Sequence, residues 1–411
     1  MSLHLMSLVS DSGVPIFSKK RGNSGTLPFS TVASLSTVAL FCKNQGTQLI
    51  STEFDNGIIM WREFENNIMI IGIASDTPET VLADLIELTF HAMVLSVGVE
   101  ELRNIQNIDR LKRDLKQSLT VIDLLMESLD NDLLMYNDSV LSPENMELSI
   151  KLREYGEMTK SPYICLLVKQ KIACGTEGWW LDLNVIDRKL LILLNSALNT
   201  LPKETPVFLP IKAPTVAYRF IAIALTQHLT ICLLCGPEPS YMQLEAITQQ
   251  FWSPEINLLA SAEKIYPKNF PDDVHLDEEI LGLLLINEKT HRYMISKNVQ
   301  ATGKRSSGSG HRLDILRTFF HQAICPVRHA LAIDINSIGS DTVENEDTFK
   351  NLEQFWCSEY HKCHALIETD NILCVLYSAA ISTTLMQSVT KKLLDQLLLS
   401  DTKNNTQWNL F

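Results

Sequence analysis

Four Cys and His side chains crowd together at Cys357, His361, Cys363 and His364. Thiolate and imidazole are the ligands zinc prefers. Their spacing matches no familiar finger, and Cys363 and His364, being adjacent, would face opposite sides of a strand. The expectation is a mixed buried and exposed strand end without metal. Cys232 and Cys235 have the CxxC spacing of redox and zinc sites, but no second such pair completes a site. At the end of an apolar strand they read as two buried structural thiols. Gly303-Lys304 invites a phosphate loop, yet Asn298 stands where the first glycine belongs and Arg305 where Ser or Thr belongs. Gly308-Ser309-Gly310 opens a dinucleotide fingerprint, but Leu313 occupies the third glycine position, so this stretch reads as a solvated linker. No GxSxG, HExxH or calcium-loop signature occurs. The carboxylate pairs Glu100-Glu101 and Glu278-Glu279 fall at element ends, where solvated surface is the default. The chain is therefore expected to have no catalytic residues, no cofactor and no metal, and to be no enzyme in the sense of chemistry of its own.

Two further features have an interaction reading. Arg103, Arg110, Lys112, Arg113 and Lys116 form a basic stretch, which Asp109 and Asp114 temper by intrahelical pairing, so a solvated face is expected rather than a membrane patch. Trp179-Trp180, after Gly178, offers an aromatic anchor for a partner. On a strand the two rings would point opposite ways, which would put one of them in the core.

The bulk composition sets the frame for these residues. The chain has 411 residues, 45% hydrophobic and 20% charged, which suits two to three folded domains rather than disorder. A net charge of −13 argues against nucleic acid as a partner, because phosphate binding needs a surplus of Lys and Arg. Met1 to Met6 is apolar but lacks a basic n-region and a cleavage site, so it reads as a first strand and not a signal peptide. No apolar run reaches the length of a membrane span, the most apolar stretch being Phe220 to Cys235. The nine cysteines are then expected to be reduced, and the sequons at Asn137 and Asn404 unused.

The pattern repeats one plan three times, over roughly 1–130, 160–265 and 278–400. In the first copy Leu3 to Val9 and Val14 to Ser18 read as a hairpin around Asp11-Ser12-Gly13. Leu27 to Lys43 reads as a helix, with Phe29, Val32, Ala33, Leu35, Val38, Ala39 and Leu40 at spacings of three and four. Strands Thr47–Phe54, Ile58–Phe64 and Ile68–Ala74 follow, separated by Asp55-Asn56-Gly57 and Glu65-Asn66-Asn67, both of which are hairpin chemistry. A helix capped by Thr77 and stopped at Gly98 buries Leu82, Leu85, Ile86, Phe90, Met93, Val94 and Val97. One more amphipathic helix spans Asn107 to Leu129. The order β-β-α-β-β-β-α-α predicts an α+β fold, an α-β-α sandwich around a five-stranded antiparallel sheet. Two-sided burial accounts for the continuous apolar runs.

The second copy follows a polar joint at Asn137 to Glu147 and a helix Met146–Met158. It holds strands Tyr163–Val168 and Lys171–Thr176, helix Val185–Leu198, strands Val207–Pro210, Tyr218–Leu225 and Leu229–Cys235, and helix Tyr241–Trp252. The third holds strands Ile280–Ile286 and Arg292–Ser296, helix Arg312–Ile324, strands near Leu331–Ile335, Cys363–Glu368 and Ile372–Tyr377, and helix Ser382–Leu399. Ala301–His311 and Ser337–Thr348 read as loops. The domains are expected at 1–135, 136–270 and 271–411.

Several segments carry a family resemblance. They include Ser12-Gly13-Val14-Pro15-Ile16-Phe17, Leu27-Pro28-Phe29-Ser30, Ala92-Met93-Val94-Leu95, Val97-Gly98-Val99-Glu100-Glu101-Leu102 with Asn104-Ile105, and Arg110-Leu111-Lys112. Thr176-Glu177-Gly178-Trp179-Trp180, Leu233-Leu234-Cys235-Gly236-Pro237 and Ile280-Leu281-Gly282-Leu283-Leu284-Leu285 follow in the same order. In these segments, spread from residue 12 to residue 285, the chain resembles the three-longin proteins of the planar cell polarity effector complex. That group is related to the Mon–Ccz and Hermansky–Pudlak exchange-factor families. The resemblance implies three longin domains, a heterodimer with Inturned, and a complex with the WD-repeat protein Fritz. It further implies exchange of guanine nucleotide on a Rab-family GTPase, in ciliogenesis and actin-hair placement. The implied location is cytoplasmic, at the cytoskeleton and basal body or the apical cortex, as a peripheral complex. Exchange needs a platform that binds nucleotide-free Rab better than the GDP form, not acid, base or nucleophile. By analogy with related pairs, whose first longin domains dimerise, the partner-binding residues are expected at Leu27, Phe29, Val32 and Leu35 on the first helix and at Thr47, Leu49 and Ser51 on strand Thr47–Glu53. The alternative is a longin scaffold that recruits partners or a phosphoinositide membrane and leaves exchange to Inturned.

Overall fold

The computed structural model describes residues 2–22, 25, 27–130, 132–197, 204–298, 309–327 and 351–403. Its strands form three sheets, two of five strands and one of six, flanked by helices. The chain clusters into two compact units, one of residues 1–130, 183–221 and 234–237, the other of residues 131–182, 222–233 and 238–411.

In the first unit β1 (Leu3–Val9) and β2 (Pro15–Arg21) form the first hairpin. Helix α1 (Phe29–Asn44) precedes the meander of β3 (Ser51–Phe54), β4 (Gly57–Phe64) and β5 (Ile68–Ser75). The strand order β2-β1-β5-β4-β3 is antiparallel throughout. Strand β1 lies inside the sheet and is covered on both faces. Met6 and Leu8 join the cluster under α1, while the Ser7 hydroxyl reaches Met93 Sδ at 3.9 Å on the opposite side. This is why the strand is apolar without a break. Glu65 and Asn66 both have positive φ, 53° and 54°, in the tight hairpin turn expected there.

Helix α2 (Glu79–Val97) buries twelve side chains, and its length and apolarity would also suit a membrane span. The sequence reading found no run of that length, because Glu79, Asp84, Glu87 and His91 interrupt it. The helix is a core helix, laid between the sheet and other elements of the unit. Its N-cap is Pro78 and not Thr77, whose hydroxyl instead donates to Ser75 O at 3.1 Å. Short α3 (Val99–Arg103) follows. The single helix expected from Asn107 is two, α4 (Ile108–Asp114) and α5 (Lys116–Ser128), with Leu115 between them at ψ 0°. Asn107 caps α4, accepting from Arg110 N at 2.9 Å.

The same unit contains α7 (Val185–Ala197) and β9 (Glu204–Leu209), which pack on α2 and α5. Gly98 ends α2 with φ +76°, and a Cβ there would come 3.0 Å from the Phe208 ring of β9. A left-handed backbone and a close aromatic neighbour together require glycine. Asp187, wholly buried in the first turn of α7, accepts backbone hydrogen bonds from Ile211 and Lys212 at 3.0 and 3.1 Å. Burial pushes its carboxyl up in pKa, and the two amides oppose that shift.

In the second unit β6 (Asn137–Asp138) leads to α6 (Asn145–Thr159), β7 (Tyr163–Val168) and β8 (Lys171–Gly175). Strands β10 (Ala213–Ala224) and β11 (Leu229–Cys235), each divided between the two groups of residues, belong to the sheet β8-β7-β11-β10-β9, and α8 (Tyr241–Trp252) and α9 (Ile256–Lys264) of the second unit follow. The joint read as polar is largely buried over residues 137–142. Asn137 N and Ser139 N donate to His291 O and Tyr293 O, both at 2.8 Å, and Val140 N donates to Ile172 O at 3.0 Å. The linker thus lies along β13 (Arg292–Lys297) on one side and meets β8 at Ile172 on the other. It satisfies backbone groups that two sheet edges would otherwise present to solvent.

Trp179 and Trp180 are likewise corrected. They lie in a π-helical turn, Gly178–Asp182, and not on a strand, so both are buried and neither is an exposed anchor. The Arg292 guanidinium stands 4.6 Å from the Trp180 ring, and its Nε donates to Ser139 Oγ at 3.3 Å.

The last sheet runs β14-β15-β16-β12-β13-β6, from β12 (Ile280–Asn287), β14 (Asn351–Cys357), β15 (His361–Glu368) and β16 (Asn371–Ser378) with the strands already given. Its sixth strand is the linker β6. Helix α10 (Ser309–Phe319), prolonged by a π turn to Ile324, lies on one face, and α11 (Thr383–Lys403) on the other. Strand β14 escaped the sequence reading because Asn351, Glu353 and Gln354 dilute its apolar pattern. The strand expected near Leu331–Ile335, the loop Ser337–Thr348 and most of the loop Ala301–His311 lie outside the described residues.

Candidate partner-docking surface

Helix α1 and the β3 edge form one side of the first sheet. Leu27, Val32, Leu35 and Leu49 are partly buried against a cluster of Met6, Leu8, Ala39, Trp61 and Ile71. The Trp61 indole ties the helix down by donating to Leu35 O at 3.2 Å. Phe29 opens α1; its side chain lies outside the described residues. The strand expected from Thr47 begins at Ser51, so Thr47 and Leu49 precede it. The Thr47 hydroxyl and amide both reach back to Cys42 O at 3.0 Å, which holds these residues as a helix-end turn rather than a strand. Ser51 is half-buried and pairs with Met60.

The sequence reading brought four of these residues onto one apolar seam and missed the residues outside it. Val38 is 49% exposed, Phe41 63%, Ile50 58% and Phe54 48%. Val38 and Phe41 sit one turn apart on α1, Ile50 just before β3 and Phe54 at its end. Strand β3 is the terminal strand of its sheet, bonded among the described residues to β4 alone. The signal in the sequence was a surplus, since α1 carries more apolar residues than a single buried stripe can hold. A groove of about 510 Å³ beside α1 is lined by Leu40, Lys43, Thr47, Gln48, Leu49 and Glu63. The Lys43–Glu63 ion pair, 2.7 Å, spans it.

The groups that invited chemistry fall elsewhere. Cys363 and His364 are buried on opposite faces of β15 while Cys357 is exposed. His364 Nδ1 meets Thr390 Oγ1 at 2.7 Å, and burial lowers its pKa against the opposing pull of Glu353. Cys232 and Cys235 are both buried in β11. Among the described residues no three His, Cys, Asp or Glu side chains form a metal-sized group. In the basic stretch Arg103 is held by Glu65 and Glu100, and Arg110 lies 3.5 Å from Asp114.

One ionisable group on α2 makes the first unit sensitive to pH. Burial pushes the Asp84 carboxyl up to about 7, Glu87 adds to the shift and Arg62 opposes it. An acid whose folded pKa exceeds its unfolded value favours the fold while protonated. Stability is therefore expected to fall as pH rises from about 4 to about 7. Asp84→Asn should reduce that slope, with buried Asp187 of the same unit still contributing to it, and raise stability at pH 8 by about 1–3 kcal/mol. Urea melts at pH 5 and pH 8 test this, and an unchanged slope in the variant would show that another group controls it.

Comparison with known proteins places all three sheets in one family. Models of the first, second and third longin domains of FUZ, MON1 and HPS1 match residues 4–125, 159–253 and 279–399. A human protein called protein fuzzy homolog is 34% identical over 332 residues, covering 78% of each chain. A protein of the same name from Xenopus tropicalis is 29% identical over 411 residues, covering 95% of this chain and 96% of its own.

Proposed function

This chain belongs to the three-longin family of FUZ, MON1 and HPS1, and from that premise we propose that it is a planar cell polarity protein that pairs with Inturned as one subunit of a Rab guanine-nucleotide exchange factor. In this reading Fritz completes the complex, which works at the basal body or apical cortex in ciliogenesis and actin-hair placement. The observation that supports it is the α1–β3 side of the first domain. There β3, terminal among the described residues, is flanked by exposed Ile50 and Phe54, and α1 of the same domain exposes Val38 and Phe41; Leu27, Val32, Leu35 and Leu49 pack against the sheet, and Phe29, Thr47 and Ser51 belong to the same stretch of chain. A strand edge unpaired among the described residues, with apolar side chains flanking it, suits a second sheet or helix. The chain would then contribute surface and not reacting groups, since remodelling a GTPase switch requires only tighter binding to one of its states.

The test is release of a fluorescent GDP analogue from the candidate Rab with this chain, with Inturned, and with both. Acceleration by the pair alone is the expected result. No gain from adding this chain would reduce it to a longin scaffold that recruits partners or a phosphoinositide surface.

A further inference from the structure

Strand β14 is the opposite extreme of the third sheet, bonded among the described residues to β15 alone. Its two aromatic side chains serve the two faces. Phe355 stacks on His364 with centroids 4.5 Å apart, while Trp356 tilts against Phe319 of α10 at 5.9 Å. Each is still 38% exposed, and Tyr360 in the following turn is 75% exposed. Between Trp356 and α10 a cavity of about 390 Å³ is lined by Asp314, Ile315, Thr318, Trp356, Tyr360 and His361. Asp314 gives one carboxylate oxygen to Arg317 Nη1 at 3.1 Å, and its side chain remains 49% exposed.

The exposed charges on this strand and its turn are acidic. Strand β14 carries Glu353 and no Lys or Arg, and Glu359 lies exposed in the turn. The nearby cations are engaged within the chain, Lys362 Nζ donating to Ile381 O and buried Arg317 to one oxygen of Asp314, whose other oxygen is left for a further cation. Indole and phenol rings beside a half-exposed carboxylate form a seat for a cationic side chain. A strand edge unpaired among the described residues, beside that seat, offers backbone hydrogen bonds to an extended chain.

We propose that the β14 edge and the cavity beside it bind an extended peptide segment of a partner protein, with a lysine or arginine side chain seated between Trp356, Tyr360 and Asp314. The strand adds to the sheet next to β14, so alternate side chains of the segment face the cavity. Specificity comes from the cation and affinity from the shared strand pairing.

Random heptapeptides displayed on phage and panned against the full chain supply the probe. The expected result is enrichment of Lys or Arg at one position between alternating apolar residues. Selected peptides, made with a fluorescent label, should bind about fivefold or more weakly to Asp314→Asn and to Tyr360→Ala. Both side chains are at the surface, and matching thermal melts would show that the variants fold. Recovery of no binders, of acidic or neutral peptides, or of peptides indifferent to both substitutions would overturn the proposal. So would a dimer of the full chain in sedimentation velocity that Tyr360→Ala dissociates, because the edge would then belong to a second copy.

Discussion

Phe41→Asp is expected to weaken the proposed pairing with Inturned by about 30- to 1000-fold, the roughly 2–4 kcal/mol of an aromatic anchor at the centre of an interface. Phe41 is 63% exposed on α1 and has Val38 one turn away, so in the free chain a charge there meets water and not core. The substitution should shift the stability of the free chain by no more than about 0.5 kcal/mol. In the complex the same carboxylate would be buried among apolar groups without a partner, which is what makes the loss large. Two measurements separate the possibilities. Co-purification or calorimetric titration with Inturned reads the pairing, and a thermal melt of the free variant reads the fold. Loss of pairing with an unchanged melt supports the α1–β3 surface. Normal pairing would sink it and move the proposed interface to another edge. Leu35→Ala is the instructive contrast. Leu35 packs toward Trp61 and Ala39, so it should cost stability first and pairing only as a consequence.

Trp179→Ala is expected to destabilise the second unit by about 3–5 kcal/mol, the range for deleting a large buried aromatic. The side chain has no exposed surface and is among the largest fully buried groups of the chain. It lies against Gly175, where an added Cβ would come 3.1 Å from its ring. Because the chain holds several domains, unfolding need not be a single transition. Calorimetry should show one transition moved down by several degrees while that of the first unit stays in place. If the ring were a partner anchor, the melt would be unchanged and binding would suffer instead, so an unshifted melt rejects the structural role. Trp180→Ala provides an internal comparison. It leaves Arg292 without the ring 4.6 Å from its guanidinium, and a buried cation that loses its neighbour is costly in its own right.

The two tryptophans also show where a sequence stops being informative. Adjacent residues on a strand must point apart, and that rule predicted one ring inside and one outside. A π-helical turn, Gly178–Asp182, replaces the strand, and both rings enter the core. Nothing in Gly-Trp-Trp distinguishes these outcomes locally, because the turn exists only through its packing. The linker at 137–141 failed in a similar way. Its polar residues read as a joint, but backbone bonds to His291, Tyr293 and Ile172 make it part of the third sheet and a cover for β8. Those partners lie far apart in sequence, and a polar side chain does not prevent a backbone from pairing.

What the sequence determined by itself was the repeated plan. Periods of two in the strands, of three and four in the helices, and turn chemistry at Glu65-Asn66 and Gly98 are local constraints of the backbone. They led to the order of strands and helices in the first sheet and to its coverage on both faces. Tertiary structure alone decided which apolar residues were left over. Leu35 and Val38 look alike on α1, yet one is pressed against Trp61 and the other faces outward. The difference comes from where β3 and β4 stop and from how much of a 16-residue helix the sheet below it can cover. Burial is a property of the assembled surfaces, so the exposed side of α1 and the open edges β3 and β14 became visible only once the sheets were built.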